Sequence, residues 1–256
     1  MKGVGTPARA VCTTSWDDGN PLDQRIADLL TKYGLTGTFY VPIENSRPVL
    51  AAQQVRQLSE AFEVGAHTVH HAVLTSIPDR EAEIEIRESK KQLEDSTGRL
   101  CDTFCFPKGR FYRRHLAMVR EAGFRYARTV ELLATRVPDN RCGLGLIPTT
   151  VQAARHRWTT YMRNSIKRLE PRNMFSFAVH VRSRSWAEVA RAMMQDVARR
   201  GGVFHLWGHS WEIEEQQQWT ELELVLRGMQ ALRMTMPCVS NSKLGSIGAA
   251  PVRSQS

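Results

Sequence analysis

Trp16-Asp17-Asp18-Gly19-Asn20 follows the β-prone run Ala10 to Ser15, so that two adjacent carboxylates stand at a strand end, where they can divide the duties of base and metal ligand. Asp and Gly are also ordinary turn formers, and on its own the stretch reads first as a turn. Further along, Gly65-Ala66-His67-Thr68-Val69-His70-His71 changes that reading. His67 and His71 have the four-residue spacing that can point two imidazoles at one metal. Two His and one Asp make a facial set of three with positions left for water and substrate, and this arrangement suggests hydrolysis.

Outward from these motifs the chain alternates between strands and helices. Val11 to Trp16 reads as a buried strand, and Leu22, Ile26, Leu29 and Leu30 line a helix that Gly34 can end. Thr36 to Val41 is a second strand, stopped by Pro42, and Val55, Leu58 and Phe62 mark the next helix. Asp79 to Ser96 is a long amphipathic helix whose charged side is read as solvated. Thr103 to Phe106, Tyr126 to Val130, Phe175 to Val181 and Val203 to Trp207 are further strands, with an irregular segment from Pro138 to Pro148. Helices fall around Leu116 to Ala122, Trp186 to Val197 and Leu222 to Leu232, and Cys238 to Ser240 is a candidate closing strand. Such alternation predicts parallel strands with crossover helices, and motifs at successive strand C-terminal ends predict a barrel. Residues 1–244 are read as one domain and 245–256 as a flexible tail.

A chain of 256 residues that is 42% hydrophobic can bury one sizeable core. It has no uninterrupted apolar span of membrane length and no signal-peptide core in Met1 to Ala10, so a cytoplasmic location is expected. Its five cysteines, Cys12, Cys101, Cys105, Cys142 and Cys238, lack CxxC spacing, which argues for reduced thiols and against a thiolate zinc site. The net charge of +9 is densest from Arg155 to Arg172, where Trp158 and Tyr161 interleave with the basic residues. No groove-reading motif accompanies it, so no nucleic-acid partner is expected, and the excess is read as a solvated surface that favours anionic substrates.

These motifs resemble those of the NodB-homology polysaccharide deacetylases, carbohydrate esterase family 4, over roughly residues 10 to 240. The resemblance implies an α/β fold, a distorted and often incomplete (β/α) barrel that could here have seven strands. The family's TFDDG stands as Ser15-Trp16-Asp17-Asp18-Gly19, which implies Asp17 as general base and Asp18 as metal ligand. Its H-[ST]-x-x-H is matched by His67-Thr68-Val69-His70-His71, which implies His67 and His71 as the other ligands. R-x-P-x-G is kept only in part: Cys105-Phe106-Pro107-Lys108-Gly109 has Cys where the family has the Arg that helps hold the base. Arg128, at a later strand end, is the candidate replacement, and the Lys108 backbone N–H occupies the family's oxyanion-donor position. No D-x-x-D-W motif is found. The last family motif, a His ending an apolar strand, is matched in kind by Phe204-His205-Leu206-Trp207-Gly208-His209. Strand alternation puts both histidines on one face, and His209, nearer the strand end, is preferred as the acid.

The chemistry accounts for the same residue types. One divalent metal, zinc being the first expectation among first-row ions, would lower the pKa of a water to about 7 and polarise an amide carbonyl. Asp17 would accept the water's proton, the Lys108 N–H would receive the oxyanion, and His209 would protonate the leaving nitrogen. His205 could instead support the acid, and it is grouped with Trp207 and Trp211 as a candidate substrate contact; the two tryptophans could stack on a sugar, although Trp is equally a core residue. His70, His156, His180, Glu212 and Glu214 are read as surface or structural groups, and Cys105 as a buried apolar one. The expected activity is removal of N-acetyl groups from an N-acetylated sugar or glycan precursor. The alternatives are an allantoinase-like cyclic-amide hydrolase and a catalytically weak glycan-binding protein.

Overall fold

The structure is a computed structural model and describes residues 10–155 and 185–248. The expected strand Phe175 to Val181, most of the basic stretch, His156 and His180 lie outside the described residues.

β1 (Ala10–Asp17) is buried along its whole length and lies at the centre of the sheet. It pairs in parallel with β2 (Thr38–Val41) on one side and β9 (Gly202–Gly208) on the other. Beyond β2 the parallel order continues through β3 (Glu63–Ala66), β4 (Thr103–Cys105), β5 (Tyr126–Arg128) and β7 (Leu144–Ile147). β8 (Val151–Gln152) pairs with the far side of β9. β7 and β8 are the two ends of one bent segment: residues 144–147 pair with β5, and residues 151–152 pair with β9. Between them the Thr150 N–H donates to the His205 carbonyl at 3.0 Å. The bent segment thus joins the two edges of the curled sheet. Counting it once, β1 to β5, this segment and β9 are seven staves, and the expected distorted α/β barrel is borne out.

β6 (Asp139–Arg141) runs antiparallel to β7 as a small flap. The segment read as irregular from the sequence therefore contains a hairpin. Its turn residues Cys142 and Gly143 have φ of 55° and 77°, the left-handed pair of a two-residue hairpin turn, and charged β6 offers no apolar alternation to reveal the strand.

The helices cover the outside of the sheet. α1 (Asp23–Lys32) buries Ile26, Leu29 and Leu30 on one face, and left-handed Gly34 ends it by donating to Thr31. α2 (Ala52–Ala61), α3 (Asp79–Thr97) and α4 (Arg113–Glu121) pack successively against one another. α5 (Trp186–Arg200), capped by Ser185, packs on β9 and on α7 (Trp219–Ala231), while the short α6 (Ser210–Glu215) follows β9 directly. Trp16, Phe39, Phe104, Phe106 and Phe204 are fully or almost fully buried between the layers. Cys238 makes one parallel bridge to Cys12 and no longer strand. α8 (Asn241–Gly248) takes in the first residues of the segment read as a tail, because Leu244 is buried and Gly245 lies against the Tyr126 ring with no room for a side chain. No helix among the described residues is long and apolar enough to cross a membrane.

Candidate active site

The C-terminal ends of β1, β3, β4, β5 and β9 bring the motif residues together. Asp17 ends β1, and the chain turns sharply at Asp18, whose φ is 77°. Gly19 then passes so close to Val41 that a Cβ would lie 2.8 Å from its Cγ1, so the motif glycine is a steric requirement. Thr68, His71 and Lys108 also have positive φ, so four of the seven such non-glycine residues among the described ones surround this rim. Strained backbone of this kind gathers where side chains must be aimed.

Asp18 Oδ1 lies 3.6 Å from His67 Nε2 and 3.2 Å from His71 Nε2, and it is buried without a hydrogen-bond partner among the described residues. Asp18 Oδ2 accepts from Trp211 Nε1 at 2.9 Å, which turns the other oxygen toward the imidazoles. His67 Nδ1 donates to the Cys105 carbonyl at 2.8 Å, which turns Nε2 toward Asp18. One ligand atom from each of Asp18, His67 and His71 fits within a single cluster. A buried, unpartnered carboxylate oxygen beside two imidazole nitrogens suits a divalent cation, and this donor set fits one. Burial opposes ionisation of Asp18, but His67, His209 and His71 around it hold its pKa well below the ordinary carboxylate value. Burial and the neighbouring His67 push His71 down to about 4, so it is neutral at ordinary pH.

Asp17 lies deeper. Its Oδ2 accepts from Arg128 Nη2, with the Cys105 thiol 3.8 Å away, while its Oδ1 has no partner. Burial would raise its pKa, but Arg128, then His67 and His209, keep it below the usual carboxylate value. Cys105 on β4 and Arg128 on β5 are register partners, so the guanidinium reaches Asp17 from the strand beside the one that lacks the motif arginine. Arg128 is fully buried, with its guanidinium over the rings of Trp207 at 4.7 Å and Tyr40 at 5.4 Å. Lys108 sits in a tight turn, Pro107–Gly109, whose Gly109 backbone packs directly on Val130.

The two β9 histidines have different surroundings. His205 is fully buried, with Nε2 2.9 Å from Ser15 Oγ and Nδ1 donating to the Pro148 carbonyl at 2.8 Å. Burial, with Arg128 nearby, pushes its pKa down to about 3. His209 is partly exposed past the strand end, with Nε2 4.0 Å from Asp18 Oδ2 and Nδ1 3.1 Å from Glu212 Oε2. Burial lowers its pKa, but Glu212, Asp17 and Asp18 outweigh it and raise the value above that of a free histidine.

Residues 4–127, from ahead of β1 into β5, match the family model for polysaccharide deacetylase. The match covers just under half of the chain, which is similar to that family over those residues. No curated protein matches the sequence. Among solved structures, the chain superposes on a Mycobacterium smegmatis protein described as a polysaccharide deacetylase, with a TM-score of 0.68 at 15% identity, covering 94% of each chain. It is similar to the chitin deacetylase of the fungal pathogen Colletotrichum lindemuthianum, with a TM-score of 0.58 at 15% identity over 94% of this chain and 92% of that one. A family 4 carbohydrate esterase from Streptomyces lividans gives 0.54 at 14% identity over 91% and 92%. At these identities the structural likeness is one of fold. The family resemblance read from the motifs stands.

The structure corrects two expected substrate contacts. Trp207 is 6% exposed beneath Arg128 and His205 is enclosed, so neither offers a surface to a sugar ring. Trp211 is at the rim, but Arg47 stacks over its ring at 3.7 Å and its indole N–H is committed to Asp18. Two carboxylates read as solvated are at work here. Glu212 meets His209 and accepts from Gln152 at 2.9 Å, and Glu85 of α3 meets the histidine loop. Only the i, i+3 spacing of His209 and Glu212 at a helix start could have signalled the first.

Proposed function

We propose that the protein is a metal-dependent hydrolase that removes acetyl groups from N-acetylated sugars or glycans. The observation that carries this reading is the placing of Asp17 and Asp18 side by side between two imidazoles on one flank and His209 on the other. Asp18, His67 and His71 would hold the cation. When bound, a divalent cation there supplies a water of lowered pKa and polarises the amide carbonyl.

Each remaining duty falls to a residue of the chain. Asp17, ionised by Arg128, has Oδ1 free to accept the proton of the attacking water. The Lys108 N–H is the assigned donor to the developing oxyanion. An amide nitrogen leaves only when protonated, and His209 can supply that proton because Glu212 holds Nδ1 and leaves Nε2 toward the site. His205 cannot share the role, since both ring nitrogens are engaged inside the core.

The test is acetate release from N-acetylglucosamine oligomers, with metal analysis of the purified protein and of His67→Ala. One bound divalent ion, lost in the variant together with activity, is expected. A wild-type protein that binds metal yet releases no acetate from any N-acetylated glycan, or His67→Ala with full occupancy, would sink the reading.

A further inference from the structure

Between the two candidate metal ligands the chain makes a turn that is costly to form. Thr68 and His71 have φ of 64° and 51°, and neither is a glycine. Left-handed non-glycine residues cost on the order of 1–3 kcal/mol each and persist only where the surroundings hold them. The Thr68 hydroxyl closes one side of the turn by accepting from the Ala72 N–H at 2.9 Å. The other side is closed from outside the loop. Glu85 Oε2 accepts from the N–H groups of both Val69 and His70, each at 2.9 Å, and Oε1 meets His70 Nδ1 at 2.5 Å.

Three contacts to one carboxylate are more than a solvated helix face would make. The Glu85 side chain is 12% exposed, although the pattern of α3 places it among solvated charges. His70, lying between the ligands, is itself exposed and turns its ring away from Asp18 toward Glu85, with Glu44 at 3.8 Å on its other nitrogen. The loop bearing both imidazoles is therefore tied to α3 at its midpoint.

We propose that Glu85 is a positioning residue for the metal centre: by gripping the Val69–His70 turn it fixes the angle between the His67 and His71 imidazoles. This rests on the reading that those two histidines hold a metal. Without the grip, the turn can relax out of its left-handed conformation and the two Nε2 atoms diverge. Partners that orient metal-binding groups are typically worth 10- to 100-fold in affinity.

Cobalt(II) binding to the full chain tests this, read by competition titration and by visible ligand-field absorption at saturation. Glu85→Ala should bind Co(II) about 10- to 100-fold more weakly and with shifted bands. Glu85→Gln, which keeps the length and one accepting oxygen, should fall between Ala and wild type. The band shift matters because a loss of general stability would not alter the spectrum of the saturated site. If Glu85→Ala does not fold, the Gln variant decides, since it must still bind more weakly than wild type. Wild-type affinity and spectrum in the folded Glu85 variants would overturn the inference while leaving the metal reading intact. A wild-type chain that binds no Co(II), or His67→Ala that binds it unchanged, would overturn the metal reading and this inference together.

Discussion

At the end of the barrel where the strands begin, Asn241 of α8 accepts from Thr13 Oγ1 and donates from its backbone to Thr38 Oγ1 and from its side chain to the Tyr40 hydroxyl, each at 2.9 Å. Beside it Glu63 receives the Thr103 hydroxyl at 2.8 Å and the Ser242 hydroxyl at 2.9 Å. At the end where the strands finish, Asp17 Oδ1, Asp18 Oδ1, Arg128 Nε and Nη1, and Trp207 Nε1 are buried without hydrogen-bond partners among the described residues. A buried polar group left unpaired costs about 1–3 kcal/mol, and more if charged. The first end uses its polar groups for cohesion. The second leaves them open, the reserve that the proposed metal and substrate would draw on, and this difference shows without reference to any motif.

The largest expected effect tests the reserved end. His209→Ala should lower amide turnover on the order of 100- to 10,000-fold while leaving metal content unchanged, and should cost less on an ester, whose leaving oxygen needs less protonation. Parallel kinetics on an N-acetyl and an O-acetyl substrate would check it. Equal losses on both would remove His209 from the acid's role.

The cohesive end should behave in the opposite way. Asn241→Ala keeps the backbone bond to Thr38 but strands the hydroxyls of Thr13 and Tyr40, and should destabilise the fold by about 1–3 kcal/mol, with turnover per folded molecule unaltered. Urea unfolding beside steady-state kinetics distinguishes the two. A variant of full stability and depressed turnover would show that the division between the ends is wrong.

A pH-dependent effect lies between the ends, at His205. It stays neutral in the fold down to about pH 3, whereas an unfolded chain takes up its proton near the ordinary histidine value of 6.5. Between those values the unfolded state binds more protons, so the stability it contributes is full above 6.5 and falls as the pH is lowered toward 3. One such group contributes a slope of about 1.4 kcal/mol per pH unit within that window. His205→Gln should flatten the stability profile between pH 6 and 4 by that amount. An unchanged slope would mean that His205 is not held neutral.

What could be read from the sequence followed the range over which each residue acts. Asp17, Asp18, His67 and His71 were legible because each pair belongs to a short segment whose spacing fixes its geometry. Most strands and helices were legible from apolar periodicity, but β3, β6, β7, β8, α6 and α8, which are short, were not. Arg128 could be nominated only because Cys105 left a gap, and the β4–β5 register that delivers it depends on pairing no local pattern encodes. Trp207 and His205 were given substrate contacts because a strand's alternation says which face a residue takes but not how deep it lies. Glu85 and Glu212 were passed over because a carboxylate on a helix face looks the same whether it meets water or a catalytic loop.

The central position of β1 also sets the order in which the molecule can be made. Its partner β2 follows closely in the chain, whereas Ser15 meets His205 across 190 residues. At translation rates of about 5–20 residues per second, that separation corresponds to roughly 10–40 s of synthesis. Asp17, Asp18, His67 and His71 have all emerged long before β9 exists to pair with β1 and carry His209 to them. A nascent chain therefore holds the groups that could capture a cation well before it has the one assigned to release product, and the barrel's closing seam is also the step that completes its chemistry.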